Sequence, residues 1–210
     1  QIHRQAAKSA IITESIKLRK GIQIIDKDWT GVDVRGELKD LELVCYSDKS
    51  NTYYKTLEYF NRELPLVNSI LDIQVITPVK NNGDSCTYSL NNAIQDLYNP
   101  SSNKKKEITI FTNGKPYIMR VGDKVINRKN NYHALKPNGD QGSIFNGDIG
   151  IVRDIDDSGK IMMVDFVDKG TFALTNDQLS FIELAYAITC HSMQGSQAER
   201  IIVAIDFSSY

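Results

Sequence analysis

Two short segments of this 210-residue chain carry the residue types that phosphate chemistry uses. Ile2-His3-Arg4-Gln5 sets an arginine just ahead of a helical stretch, where its guanidinium fork can swing toward a phosphate held by another domain. The same arginine also fits a plain solvated position near a helix start. Thr189-Cys190-His191-Ser192-Met193-Gln194-Gly195-Ser196-Gln197 follows an apolar, strand-like run. A strand-to-turn junction of that kind presents hydroxyls, amides and backbone N–H groups at the carboxyl edge of a parallel sheet, where ligands bind. A polar loop with a capping serine is the plainer alternative.

Other chemistries are set aside by what the chain lacks. Gly114-Lys115 has no earlier glycine and runs into Pro116, so it cannot form the anion nest of a phosphate-cradling loop. No Asp-Glu pair follows an apolar strand to hold magnesium. His3, His133 and His191 are too far apart for local metal-ligand spacing, and no Gly-x-Ser-x-Gly elbow is present. By its own residues the chain is not a complete nucleotide hydrolase. Cys45, Cys86 and Cys190 are odd in number and widely spaced, which excludes a disulfide framework and fits a reducing cytoplasm. No apolar run exceeds about five residues, far short of the roughly 20 of a membrane span.

With 41% hydrophobic and 24% charged residues the composition is that of a globular chain, and the net charge of −1 argues against a polybasic binder. That average hides a division. Nine Lys and Arg face two acids between Lys104 and Lys136, and nine acids face three bases between Asp140 and Glu183. Such asymmetry marks either a one-sided polyanion-binding surface or two solvated faces.

The elements that must position these residues are legible in outline. Ala7, Ile11, Ile12 and Ile16 predict a helix over 6–20, closed by Gly21. Leu41–Tyr46 reads as a strand, Tyr54 to Leu64 as a helix ending before Pro65, and Ile73–Ile76 as a second strand. Leu90, Ala93, Ile94 and Leu97 give a helical stripe closed by Asn99-Pro100. This alternation predicts an α/β fold with a parallel sheet flanked by helices. After Pro116 the rhythm changes to short β segments at 124–127, 150–154 and 160–167, with a hairpin turn at Asp157-Ser158-Gly159. No helical stripe is visible between about 117 and 182, so a small all-β barrel is expected there, inserted into the α/β domain. From Glu183 the α/β character returns.

The run LAYAITCHSMQGSQAERIIVAI resembles the fifth helicase motif of superfamily 1 motor proteins. QVITPVKNNG, SLNNAIQDLYNP, MRVGDKVINRKNNY and IFNGDIGIV resemble segments of the RecD-like branch, the exodeoxyribonuclease V alpha-subunit type, and IHRQ resembles its fourth motif. The segments occur in the family's order, from about Ile2 to Ile205. The resemblance implies a RecA-like sheet with an SH3-like barrel inserted at 117–182, residues 1–116 and 183–210 forming the second motor domain of an ATP-dependent 5′–3′ DNA helicase of repair or recombination. A first RecA-like domain holding most of the ATP and Mg2+ would precede Gln1, and a sixth motif would follow Tyr210. On this reading the chain alone is inactive. Its partners are that first domain, single-stranded DNA and, in some assemblies, nuclease or helicase subunits; no membrane is involved.

The resemblance also assigns residues. Arg4 matches the arginine that contacts the ATP γ-phosphate, with the physics of an arginine finger, and Gln5, Gly195 and Gln197 match positions near the nucleotide. Thr189, His191, Gln194 and Ser196 match the motif that touches the DNA backbone. Thr77, Pro78 and Lys80 match a strand end facing DNA, with Lys80 as a phosphate contact. Asn130, Asn131 and Tyr132 stand where the chain enters the barrel, suited either to meeting a sugar or base or to forming a turn. Relatives commonly read His-Lys-Ser-Gln-Gly-Ser-Glu, whereas Ser192, Met193 and Gln197 here replace the lysine, serine and glutamate. A non-catalytic nucleic-acid-binding or partner-docking module is the alternative from another class, and an RNA-directed helicase a third.

Overall fold

The computed structural model describes residues 8–48, 51–112 and 114–205; Arg4 and Gln5 lie outside the described residues. The chain divides into two compact units, residues 1–51 and 52–210.

In the first unit, α1 (Ala10–Arg19) is capped by Ser9, whose hydroxyl accepts from the Ile12 amide and donates to Asp40. Asp40 also accepts from the Ala10 amide at 2.8 Å, tying the helix start to the turn after β1 (Gly31–Arg35), which pairs antiparallel with β2 (Leu41–Cys45). Gly36, in the turn between them, has φ +82°, and a Cβ there would sit 2.8 Å from the Ala10 nitrogen. Only glycine meets both demands. The predicted apolar stripe of α1 faces outward, with Ile11 54% and Ile12 41% exposed and only Ala10 and Glu14 buried. Glu14 is drawn in instead by Lys17 and Arg35 at 2.8 and 3.1 Å.

In the second unit, α2 (Asn51–Glu63) ends before Pro65, which opens a short 3-10 turn at Leu64–Leu66. A further 3-10 turn (Ile70–Asp72) leads into the fully buried β3 (Ile73–Thr77), and α3 (Thr87–Tyr98) follows. The expected β2–α2–β3 parallel pair does not form: β2 pairs with β1, while β3 takes both neighbours from the far end of the chain. These are β13 (Ala187–Thr189) and β14 (Arg200–Val203), parallel to β3 in the order β13-β3-β14. Asn91 of α3 clamps β13 by pairing its amide with both the N–H and C=O of Ala187 at 2.8 Å.

Between these strands lies an antiparallel assembly. β4 (Glu107–Thr112) and β5 (Lys115–Arg120) form a hairpin, so the expected boundary at 117 falls inside β5. β6 (Lys124–Asn127), β9 (Ile149–Ile155), β10 (Ile161–Phe166), β11 (Gly170–Thr175) and β12 (Ile182–Leu184) make a five-stranded sheet in the order β11-β10-β9-β6-β12. β7 (Asn131–Leu135) and β8 (Gln141–Ile144) form another hairpin. One short helix, α4 (Asn176–Leu179), interrupts what was expected to be all β. The core runs continuously from Phe60, Val75 and Leu90 through Met119 and Val125 to Phe166 and Leu174.

The two parts are knotted by a buried carboxylate. Asp123 accepts from the side chains of Gln95 and Asn99 on α3, the Arg120 amide and the Tyr186 hydroxyl, the last at 2.9 Å. Burial raises its pKa, and these four donors oppose the rise. No helix among the described residues is long and apolar enough to cross a membrane.

Candidate nucleic-acid interface

β3 and β13 run parallel with Thr77 opposite Thr189, so both strands release their chains at one carboxyl edge. After Thr189 the backbone turns into the short helix α5 (Cys190–Met193). Thr189 caps it, its Oγ1 accepting from the Ser192 amide at 3.4 Å and lying 3.0 Å from the Ser192 hydroxyl. His191, Gln194, Gly195, Ser196 and Gln197 are exposed on this turn, and Gly195 has φ +82° with open space where a side chain would project. Of the backbone amides here, Ser192 donates to Thr189 Oγ1, Gln194 to the His191 carbonyl and Ser196 to the Met193 carbonyl, so what the turn offers to solvent is chiefly its side chains.

Thr77 does not present its hydroxyl outward as a DNA contact requires. It is 1% exposed and donates to the Ser85 carbonyl at 2.8 Å, so its role is to hold the loop after β3. Lys80, on that loop, is 40% exposed and reaches Glu183 of β12 at 3.0 Å. The other Glu183 oxygen accepts from Arg128 Nε at 2.7 Å, and Arg128 Nη1 donates to the Ser192 hydroxyl at 2.8 Å. A chain of contacts thus runs Lys80–Glu183–Arg128–Ser192–Thr189, joining the loop after β3, the end of β6 and the α5 turn. Burial alone would raise the Glu183 pKa; Arg128 and Lys80 overcome it and hold the carboxyl below its usual range. Two cations on one carboxylate leave the cluster with a net positive charge.

The other predicted group lies directly after Arg128. Asn130 accepts from the Asn146 amide at 2.8 Å and Asn131 from the His133 amide at 3.0 Å, so both side chains shape the entry into the β7–β8 hairpin. Tyr132 is 60% exposed and packs edge-on against Phe145 at 5.9 Å, with Lys169 Nζ 4.1 Å from the Phe145 ring centre. Exposed rings are the material of single-strand stacking platforms, and the cation against them, Lys169, is itself paired with Asp148. Beside them a cleft of about 270 Å³ is bordered by Lys129, Asn130, Asn131 and Phe181.

The turn and Lys80 are among the residues the sequence singles out; Arg128, Glu183, Phe145 and Lys169 are not. Glu183 did leave a signal: it is the single acid within the apolar run FIELAYAI, where an acid stays charged only with a partner. No group of three or more His, Cys, Asp or Glu able to hold a metal exists among the described residues.

Residues 90–166 match the family model described as the ATP-dependent RecD-like DNA helicase SH3 domain. An ATP-dependent RecD2 DNA helicase of Deinococcus radiodurans is 33% identical over 125 residues, 60% of this chain and 15% of that protein. The chain therefore spans only a small part of the relative it matches. Among solved structures, unliganded Pif1 from a Bacteroides species is similar with 18% identity and a TM-score of 0.39, over 65% of this chain and 47% of that one. A Pif1 helicase structure concerned with unwinding of forked duplex DNA has 18% identity and a TM-score of 0.44, over 76% and 41% of the two chains.

Proposed function

We propose a function that starts from one premise: this chain is a relative of the RecD-like ATP-dependent DNA helicases. Residues 1–116 and 183–210 form a second RecA-like motor lobe, and residues 117–182 an SH3-like barrel inserted in it. The parent protein couples ATP hydrolysis to 5′–3′ movement on single-stranded DNA in the cytoplasm, in repair or recombination. The observation that supports this reading best is the ion-paired chain from Lys80 through Glu183 and Arg128 to Ser192, because it ties the polar turn at the sheet edge to the stem of the RecD-like segment. A motor needs such a mechanical connection between its nucleotide-sensing turn and its DNA-facing appendage.

In this reading the first lobe holds ATP and Mg2+, and hydrolysis supplies the work of each step. Arg4 reaches the γ-phosphate from this lobe, Gln5, Gly195 and Gln197 lie beside the nucleotide, and Thr189, His191, Gln194 and Ser196 grip the DNA backbone without reading sequence. Asn130, Asn131 and Tyr132 meet the strand at the barrel.

In the parent protein, Arg4→Ala is expected to lower DNA-stimulated ATP turnover by about a thousandfold or more while DNA affinity changes little. Unchanged turnover would remove the motor assignment. A parent protein that binds single strands but hydrolyses no ATP would support the non-catalytic binding module instead, and unwinding of RNA but not DNA duplexes would redirect the substrate class.

A further inference from the structure

Arg128 touches both the buried carboxylate Glu183 and the α5 turn. Its Nε and Nη1 are engaged at 2.7 and 2.8 Å, and the structure gives Nη2 no acceptor among the described residues. The side chain is 20% exposed, so part of it reaches solvent. Lys80 approaches the same carboxylate from the other side and is 40% exposed.

Glu183 is 5% exposed and fixes both cations without offering them a competing anion at the surface. A guanidinium held by two hydrogen bonds has already lost its rotamer freedom, so binding a further anion costs little ordering. Ser192 places its hydroxyl on the adjacent Nη1, and that oxygen can donate to an anion while it accepts from Arg128.

Resting on the single-strand reading proposed above, we infer that Arg128 is a phosphate-contacting residue of this interface: Nη2 and the Ser192 hydroxyl take one backbone phosphate, and Glu183 positions the guanidinium for it. The contact couples the two groups of the interface, because Arg128 is followed two residues later by Asn130 at the hairpin entry. A strand held at the α5 turn would thereby be handed to the exposed Tyr132 and Phe145 rings.

The test is anisotropy titration of the 210-residue chain with a fluorescein-labelled oligothymidylate across a series of salt concentrations. Arg128→Ala should weaken binding about tenfold at low salt. The plot of log affinity against log salt should also become shallower by about 0.7, the share of one single-strand phosphate contact. Arg128→Lys should keep the parent slope with a smaller loss of affinity, since charge remains but the fork is gone. Should Arg128→Ala fold poorly by circular dichroism, Arg128→Gln carries the same comparison, because its amide can still reach Ser192. An affinity loss with an unaltered slope would overturn the inference and leave Arg128 as a prop for the turn. An unaltered affinity would overturn it as well. A parent chain with no salt-dependent binding would overturn the single-strand reading too, which separates the two failures.

Discussion

Lys124 shows how far a single residue's setting can depart from its type. It is 1% exposed, and its Nζ donates to the carbonyls of Ile70 and Ile73 at 3.1 and 2.8 Å, joining β6 to the entrance of β3. Burial pushes its pKa down to about 7, with Asp72 pulling the other way. An unfolded lysine titrates near 10.4, so between about pH 7 and 10 the unfolded chain binds more protons than the folded one. Stability therefore rises with pH through that window, and below about 7 the cost of burying the ammonium is constant. Urea unfolding from pH 6.5 to 9 should show the second unit growing more stable, and Lys124→Met should flatten the profile. A profile unchanged by that substitution would refute the assignment. At this scale the candidate site was half legible: the α5 turn announced itself by following an apolar run, whereas Arg128 and Glu183 are 55 positions apart and nothing local pairs them.

At the scale of elements, period and punctuation located α2, α3, β3 and β6 because each is a long stripe or a fully buried run. β4 and β5 escaped because Pro116 reads as a break, yet it sits opposite Phe111 in a two-stranded hairpin, where a lost donor is tolerated. The short β7 and β8 escaped for want of a buried run, since Asn131–Leu135 keeps only Ala134 inside. Two predictions belong here. Asp123→Ala strips the acceptor from four buried donors, so the second unit should lose roughly 3 kcal/mol and its Tm should fall on the order of 10 °C. A loss under about 1 kcal/mol would show that the knot is ornamental. Gly36→Ala forces a side chain into a left-handed turn against the start of α1, and should destabilise the first unit by about 1–3 kcal/mol. Hydrogen exchange should then rise across Ala10–Arg19 and stay unchanged in β3 and α3; protection equal to the parent's would contradict the close approach.

Across the whole molecule, the charge division seen along the sequence is in part folded into pairs. β6, from the basic stretch, pairs with β9 and β12 of the acidic one. Lys106 reaches Asp154 and Asp157, and Arg128 reaches Glu183. Of the two readings of that division, a one-sided basic surface or two solvated faces, what stands at the candidate interface is a small positive cluster, Lys80 with Arg128 around Glu183, while Lys169 beside the exposed rings is paired with Asp148. Clusters of two or three cations support only weak, salt-sensitive binding of single strands, since each released counterion adds little alone. The nucleotide side is thinner still: the sequence holds no phosphate-cradling loop, and the described residues hold no cluster of three or more metal-ligating side chains. Calorimetric titration of the 210-residue chain with ATP and Mg2+ is therefore expected to give no tight binding, and the chain alone no ATP hydrolysis, while oligothymidylate binds and is released by moderate salt. Tight nucleotide binding by this chain would mean that it carries a complete site of its own, and the two-lobed motor proposed for its parent would have to be abandoned.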